Sequence, residues 1–106
     1  MRLLFDHGTP APLRFFLAGH TVKKAKDLGW GGLSNGELLR AAEEASFEIL
    51  LTTDKNIRYQ QNLVKFRIAI LQLSTNDIRR IRAAADIIRS AIAATKPNEF
   101  QELVIP

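Results

Sequence analysis

Two apolar runs in this chain stop on a carboxylate: Leu3-Leu4-Phe5 before Asp6, and Ile49-Leu50-Leu51-Thr52-Thr53 before Asp54. A short continuous apolar run bounded by polar residues predicts a strand buried on both faces, which in an open sheet means a central parallel strand. Asp6 and Asp54 then lie just past the carboxyl ends of their strands, where open α/β sheets place their ligands. Between the runs, Ala11 to Leu17 carries apolar residues at helical spacing, with Thr9 as N-cap, Pro10 at the first helical position and Gly19 as the closing glycine. His20-Thr21-Val22 predicts a short second strand, and Leu28-Gly29-Trp30-Gly31-Gly32-Leu33 a glycine-rich loop. Ser34 to Ser46 predicts a helix whose apolar face is Leu38, Leu39, Ala41, Ala42 and Ala45.

Beyond Asp54, residues Lys55 to Leu63 read as a loop passing into a short amide-rich helix, and Phe66 to Leu73 as a fourth strand. Ile78, Ile81, Ala85, Ile88 and Ile92 repeat at three and four residues, which predicts one long helix from Asp77 to Thr95. Lys96-Pro97-Asn98 ends it, and Phe100 to Ile105 supplies a last strand or a docked tail. Strands alternating with helices predict an α/β fold, a three-layer α/β/α sandwich around a central parallel sheet, with right-handed crossovers.

At 106 residues the chain has the length of a single domain, residues 1–106. The formal charge of +4 admits an anionic partner, although a charge this modest also serves plain solubility. With no cysteine, disulfides and thiolate metal sites are excluded. Met1 leads directly into a charged residue and a strand, and no apolar run is long enough to span a bilayer, so a cytoplasmic protein without membrane contact is expected.

Three acids converge on the sheet edge in this reading: Asp6, Asp54, and Glu37 from the first turn of the helix entering the central strand. Carboxylates joined by amide oxygens suit hard divalent cations, magnesium or manganese. Each acid also has a purely structural role open to it. Asp6 before His7-Gly8 can shape a turn, Asp54 before Lys55-Asn56 can form an Asx-turn, and Ser34-Asn35-Gly36-Glu37 is a capping box.

The set Leu4-Phe5-Asp6, Gly19-His20-Thr21-Val22, Ser34-Asn35-Gly36-Glu37-Leu38-Leu39 and Leu50-Leu51-Thr52-Thr53-Asp54-Lys55-Asn56 resembles the PIN-like nucleases. More closely, it is similar to their small single-domain group of unknown function related to bacterial toxin ribonucleases. The resemblance implies a parallel sandwich and a metal-dependent phosphodiester-cleaving site in which Asp6, Glu37 and Asp54 are the catalytic and metal-binding acids. Asn56 stands where relatives carry another acid, as a neutral metal ligand, and His7 stands where many have an acid after the first aspartate. That charge loss points to a single cation of Mg2+ or Mn2+.

His7, Arg58, Gln60 and Gln61 are the candidate nucleic-acid contacts, since cationic and amide side chains reach phosphates, sugars and base edges. Trp30 could stack a base, and alternatively plugs the core beneath its loop. RNA rather than DNA is the expected substrate, an antitoxin protein and a second copy of the chain the candidate protein partners. A PIN-like module that no longer cuts and mainly engages protein or RNA is the rival reading. A signalling receiver domain shares the topology, but it wants paired acids after strand one and a lysine after strand five, and Phe100 to Pro106 contains no lysine.

Overall fold

The structure, a computed structural model, describes residues 1–60 and 62–106, and the side chains of all of these but Tyr59 and Gln60. Its sheet has five parallel strands: β1 (Arg2–Phe5), β2 (Thr21–Lys24), β3 (Ile49–Thr52), β4 (Ala69–Leu73) and β5 (Phe100–Leu103), in spatial order β2-β1-β3-β4-β5. β3 and β4 are buried along their whole length, whereas β2 and β5 alternate or lie half open, as edge strands must. β2 is also defended by Lys23 and Lys24, charges that discourage pairing with another chain.

Side chains alternate across the sheet, so two cores form. Leu4, Leu50 and Ile70 pack under Leu38, Leu39 and Ala42 of α1 (Asn35–Glu44), together with Ile57 of α2 (Ile57–Gln60) and Phe47. Leu3, Phe5, Ile49, Leu51, Ala69 and Leu71 pack on the other side against Leu13, Ile81 of α3 (Ile78–Ala83), and Ile88 and Ile92 of α4 (Ala85–Ala94). The three layers are those the hydrophobic pattern predicts.

Four element expectations change. The segment after β1 is a 3₁₀ helix, Ala11–Phe16, capped by Pro10 without a side-chain bond. Pro12 has no N–H to give an α-helical ladder, and the Thr9 hydroxyl is spent on Asp6 and the Leu51 carbonyl instead. The second strand begins one residue late and runs on through Lys24. The fourth begins only at Ala69, because the Glu43 carboxylate takes the N–H groups of Arg67 and Ile68 that a longer ladder would use. The final helix is two, bent at Ala84 (φ −100°, ψ 14°). Alanine favours helix, so the bend goes with packing: Ile81 and Ala84 before it and Ile88 after it all belong to the one core on the twisted sheet.

Candidate functional site

The strand order reverses direction between β1 and β3, and a switch point of this kind opens a crevice at the carboxyl edge. Phe5 pairs with Leu51, so Asp6 stands beside Thr52. The Thr52 hydroxyl donates to Asp6 Oδ2 and its oxygen accepts the Asp54 N–H at 3.0 Å, wiring the two aspartates through one fully buried threonine. Asp6 Oδ1 accepts from Thr9 Oγ1 at 2.9 Å and from the Gly8 N–H at 3.2 Å. A Cβ at Gly8 would overlap Thr53 Oγ1, so the loops after β1 and β3 approach closely where residue 8 has no side chain.

Asp54 faces α1. Its Oδ2 accepts from Asn35 Nδ2 at 2.9 Å and its Oδ1 from the Asn56 N–H at 2.9 Å, the Asx-turn geometry. The α1 residue brought onto Asp54 is therefore Asn35. Glu37 closes the capping box: its Oε1 accepts the Ser34 N–H at 3.0 Å while Ser34 Oγ accepts the Glu37 N–H. The Ser34 backbone N–H, then its hydroxyl, hold the exposed Glu37 carboxyl below the ordinary carboxylate range, with Arg40 adding a smaller pull in the same direction. Among the described residues no three His, Asp or Glu side chains form a group that could hold a metal.

The donor set at the Asp6–Asp54 pair suits a hard cation in kind. A carboxylate has about four lone-pair positions, and Asp6 uses three of them and Asp54 two for the hydrogen bonds above. Asn35 stands beside Asp54 through its side-chain amide and Asn56 through its backbone N–H, and Glu37 joins such a set only by leaving its cap.

His7 Nε2 donates to the Gly31 carbonyl at 2.7 Å, pinning the glycine-rich loop over the edge. Trp30 in that loop packs edge-on against Phe47 and on the α1 core, the plugging role. Asp6, His7, Gly8 and Thr9 share a cleft of about 230 Å³ with Lys24 and Lys26, so two lysines flank a candidate acid. Arg58 lies elsewhere, paired to Glu102 at 3.6 Å and set over the Phe100 ring. Gln61 and the Gln60 side chain lie outside the described residues.

One feature of this edge lies outside the strand-end acids. Thr52 pairs with Gln72, and Gln72 with Glu102, so with Asp6 a polar rung crosses four strands on the α1 face. The signal was Gln72 itself, the one polar residue inside the apolar run from Ile68 to Leu73. Compared with protein-family models, curated proteins and solved structures, the chain matches none of them.

Proposed function

We propose that the carboxyl edge is a metal-dependent phosphodiester-cleaving site acting on RNA in the cytoplasm, as the toxin half of a toxin–antitoxin pair. The observation that carries this reading is the Asp6–Thr52–Asp54 wiring at the switch point, with carboxylate lone pairs left over and Lys24 and Lys26 at its flank. The PIN-like resemblance of the same residues supports the reaction class and a protein antitoxin as partner. Asp6 and Asp54 would hold the magnesium or manganese ion, with Asn56 or a displaced Glu37 as further ligands. When bound, such an ion supplies a water of lowered pKa and positive charge against the phosphate. Lys24 and Lys26 draw in the polyanion, and Thr52 fixes the spacing of the two acids.

The test is cleavage of single-stranded RNA by the purified protein with manganese, magnesium or EDTA. Cation-dependent cleavage that vanishes in Asp54→Asn supports the reading, and a parent that binds manganese without cutting removes it. A second reading, a non-cutting module that binds RNA or a partner protein, draws on one observation: Asp54 is flanked by the neutral Asn35 and Asn56 while Glu37 is engaged in its cap. Cation binding without cleavage is the outcome that favours it.

A further inference from the structure

Thr53, Lys55, Ser74, Thr75 and Asn76 line a cleft of about 300 Å³ between the carboxyl ends of β3 and β4. The last three follow β4, in a segment where each side chain has the chemistry of a helix cap. Asp77 takes that role for α3, its carboxylate accepting the Arg79 N–H at 2.9 Å. The hydroxyls before it are placed differently. Thr75 Oγ1 accepts the Asp77 N–H at 3.1 Å, and Ser74 Oγ accepts the Ile105 N–H at 2.8 Å. Each bond occupies a lone pair and fixes the oxygen without using the hydroxyl proton, so both O–H groups remain to donate. Ser74 is held further by its own N–H on the Leu103 carbonyl at 3.0 Å.

Lys55 supplies the charge. It forms no ion pair among the described residues, and no carboxylate lines the cleft. The acids that adjoin the cleft in sequence, or that share Lys55 and Ser74 with it in the neighbouring cleft, have partners of their own. Asp54 accepts from the Asn35 amide and the Asn56 N–H, Asp77 pairs with Arg79 at 3.8 Å, and Glu102 pairs with Arg58 at 3.6 Å. An ammonium beside two hydroxyl donors, with no anion among them, repels a cation and fits an oxyanion. Phosphate suits it best, because each of its oxygens can accept from a different donor.

The strand order β2-β1-β3-β4 sets the two aspartates between two basic clefts, Lys24 and Lys26 on the β2 side and Lys55 on the β4 side. Adjacent strands lie about 4.8 Å apart, so Ser74 after β4 stands two strands, or roughly 10 Å, from Asp6 after β1, too far for one phosphate to touch both. We infer that the β3–β4 cleft binds a phosphate group through the Lys55 ammonium and the Ser74 and Thr75 hydroxyls, and that in an RNA strand this is a phosphate neighbouring the one at the acids. The first half stands on the cleft alone. The second rests on the nucleic-acid reading of the edge.

Amide NMR titration of the full chain with inorganic phosphate and with the dinucleotide UpU, in EDTA and at an ionic strength held constant with chloride, tests it. Saturable shifts at Lys55, Ser74 and Thr75 are expected with both ligands. Lys55→Gln, at an exposed position that leaves the fold alone, weakens phosphate about tenfold, the loss of one charge-assisted contact. Thr75→Val does the same, while Thr75→Ser, which keeps the hydroxyl and its bond to the Asp77 N–H, binds as the parent does. Shifts that drift without saturating, equally at Lys23, Lys24, Lys26 and Lys55, overturn the inference as the mark of a diffuse counter-ion only, and so does full affinity in Lys55→Gln. Saturation by inorganic phosphate but not by UpU keeps the oxyanion cleft and overturns RNA as its source. Phosphate binding without metal-dependent cleavage retains the cleft and removes the nuclease; cleavage at the parental rate by Lys55→Gln, with no phosphate shifts in the parent, does the reverse.

Discussion

Glu37 has two possible employers, and one substitution separates them. Glutamine at the third helical position still accepts the Ser34 N–H, so Glu37→Gln keeps the capping box and should leave the melting temperature near the parent's. A cation site does not treat the two alike, and if Glu37 leaves its cap to bind metal, the variant loses manganese-dependent RNA cleavage by orders of magnitude. Unchanged cleavage reduces Glu37 to a cap. The depressed carboxyl also has a pH signature: its stabilisation is present above the ordinary value of 4.5 and is lost as pH falls through the folded value, so the parent's melting temperature should fall relative to that of Glu37→Gln on acidification below about 4.5. A difference that stays flat down to pH 3 would show that the carboxylate contributes nothing as an anion.

Asp54 behaves differently because two donors converge on it, one per oxygen. Asn can accept only on one side, so Asp54→Asn should cost the metal-free protein about 1 kcal/mol while abolishing the roughly 2.7 kcal/mol that a cation at a hundredfold excess over its dissociation constant gives a folded binder. Thermal melts with and without manganese read both numbers, and a manganese shift that survives the substitution moves the site away from Asp54. At Gly8 the expectation is steric: Gly8→Ala drives a methyl onto Thr53 and should destabilise by about 1–3 kcal/mol, measured by denaturant titration, with cation binding lost alongside. A neutral Gly8→Ala would mean that the two loops can separate freely.

Among the elements, β1, β3 and α1 were legible because each is locally self-consistent: an unbroken apolar run, or a 3.6-residue stripe behind a Ser-x-x-Glu box. What could not be read depends on partners distant in the chain. Nothing near Phe66 announces that Glu43 will bind the N–H groups of Arg67 and Ile68, and nothing near Ala84 announces a bend, since three successive alanines promise uninterrupted helix. The same holds in the site, where Asp6 and Asp54 were visible as strand-end acids but Asn35 on Asp54, and Gln72 in the polar rung, required the register. The Glu43 contact yields its own expectation. Glu43→Ala leaves two backbone donors without an acceptor and should cost about 1–3 kcal/mol, with faster hydrogen exchange at Ile68 and Ala69. Exchange unchanged at those amides would show that β4 needs no such anchor.

At the scale of the whole molecule, two sets of basic residues have different work. Arg80 holds the Ile105 and Pro106 carbonyls, and Arg89 holds Phe16 O and Asp86, so these cations fasten the helical layer to the chain around it. Lys23, Lys24 and Lys26 stand on the β2 side, two of them in the cleft with Asp6. RNA affinity should therefore fall steeply with salt, and charge-neutral variants of the three lysines should flatten the salt dependence while Arg80→Met changes stability instead. A salt slope untouched by the lysine variants would locate the electrostatic footprint on another face.

The position of β1, hydrogen-bonded to β2 on one side and β3 on the other, has a consequence for how the protein comes into being. A ribosome that has released β1 and β2 has made one carboxylate and only its local contacts to Gly8 and Thr9, because Thr52, the Leu51 carbonyl and Thr53 are still to be synthesised. Leu4 and Phe5 meanwhile have no strand on their second flank. An interrupted or proteolysed chain ending before residue 52 thus carries Asp6 in an unfinished sheet, and the Thr52 link between Asp6 and Asp54 can form only in chains that have been translated past residue 54 and folded.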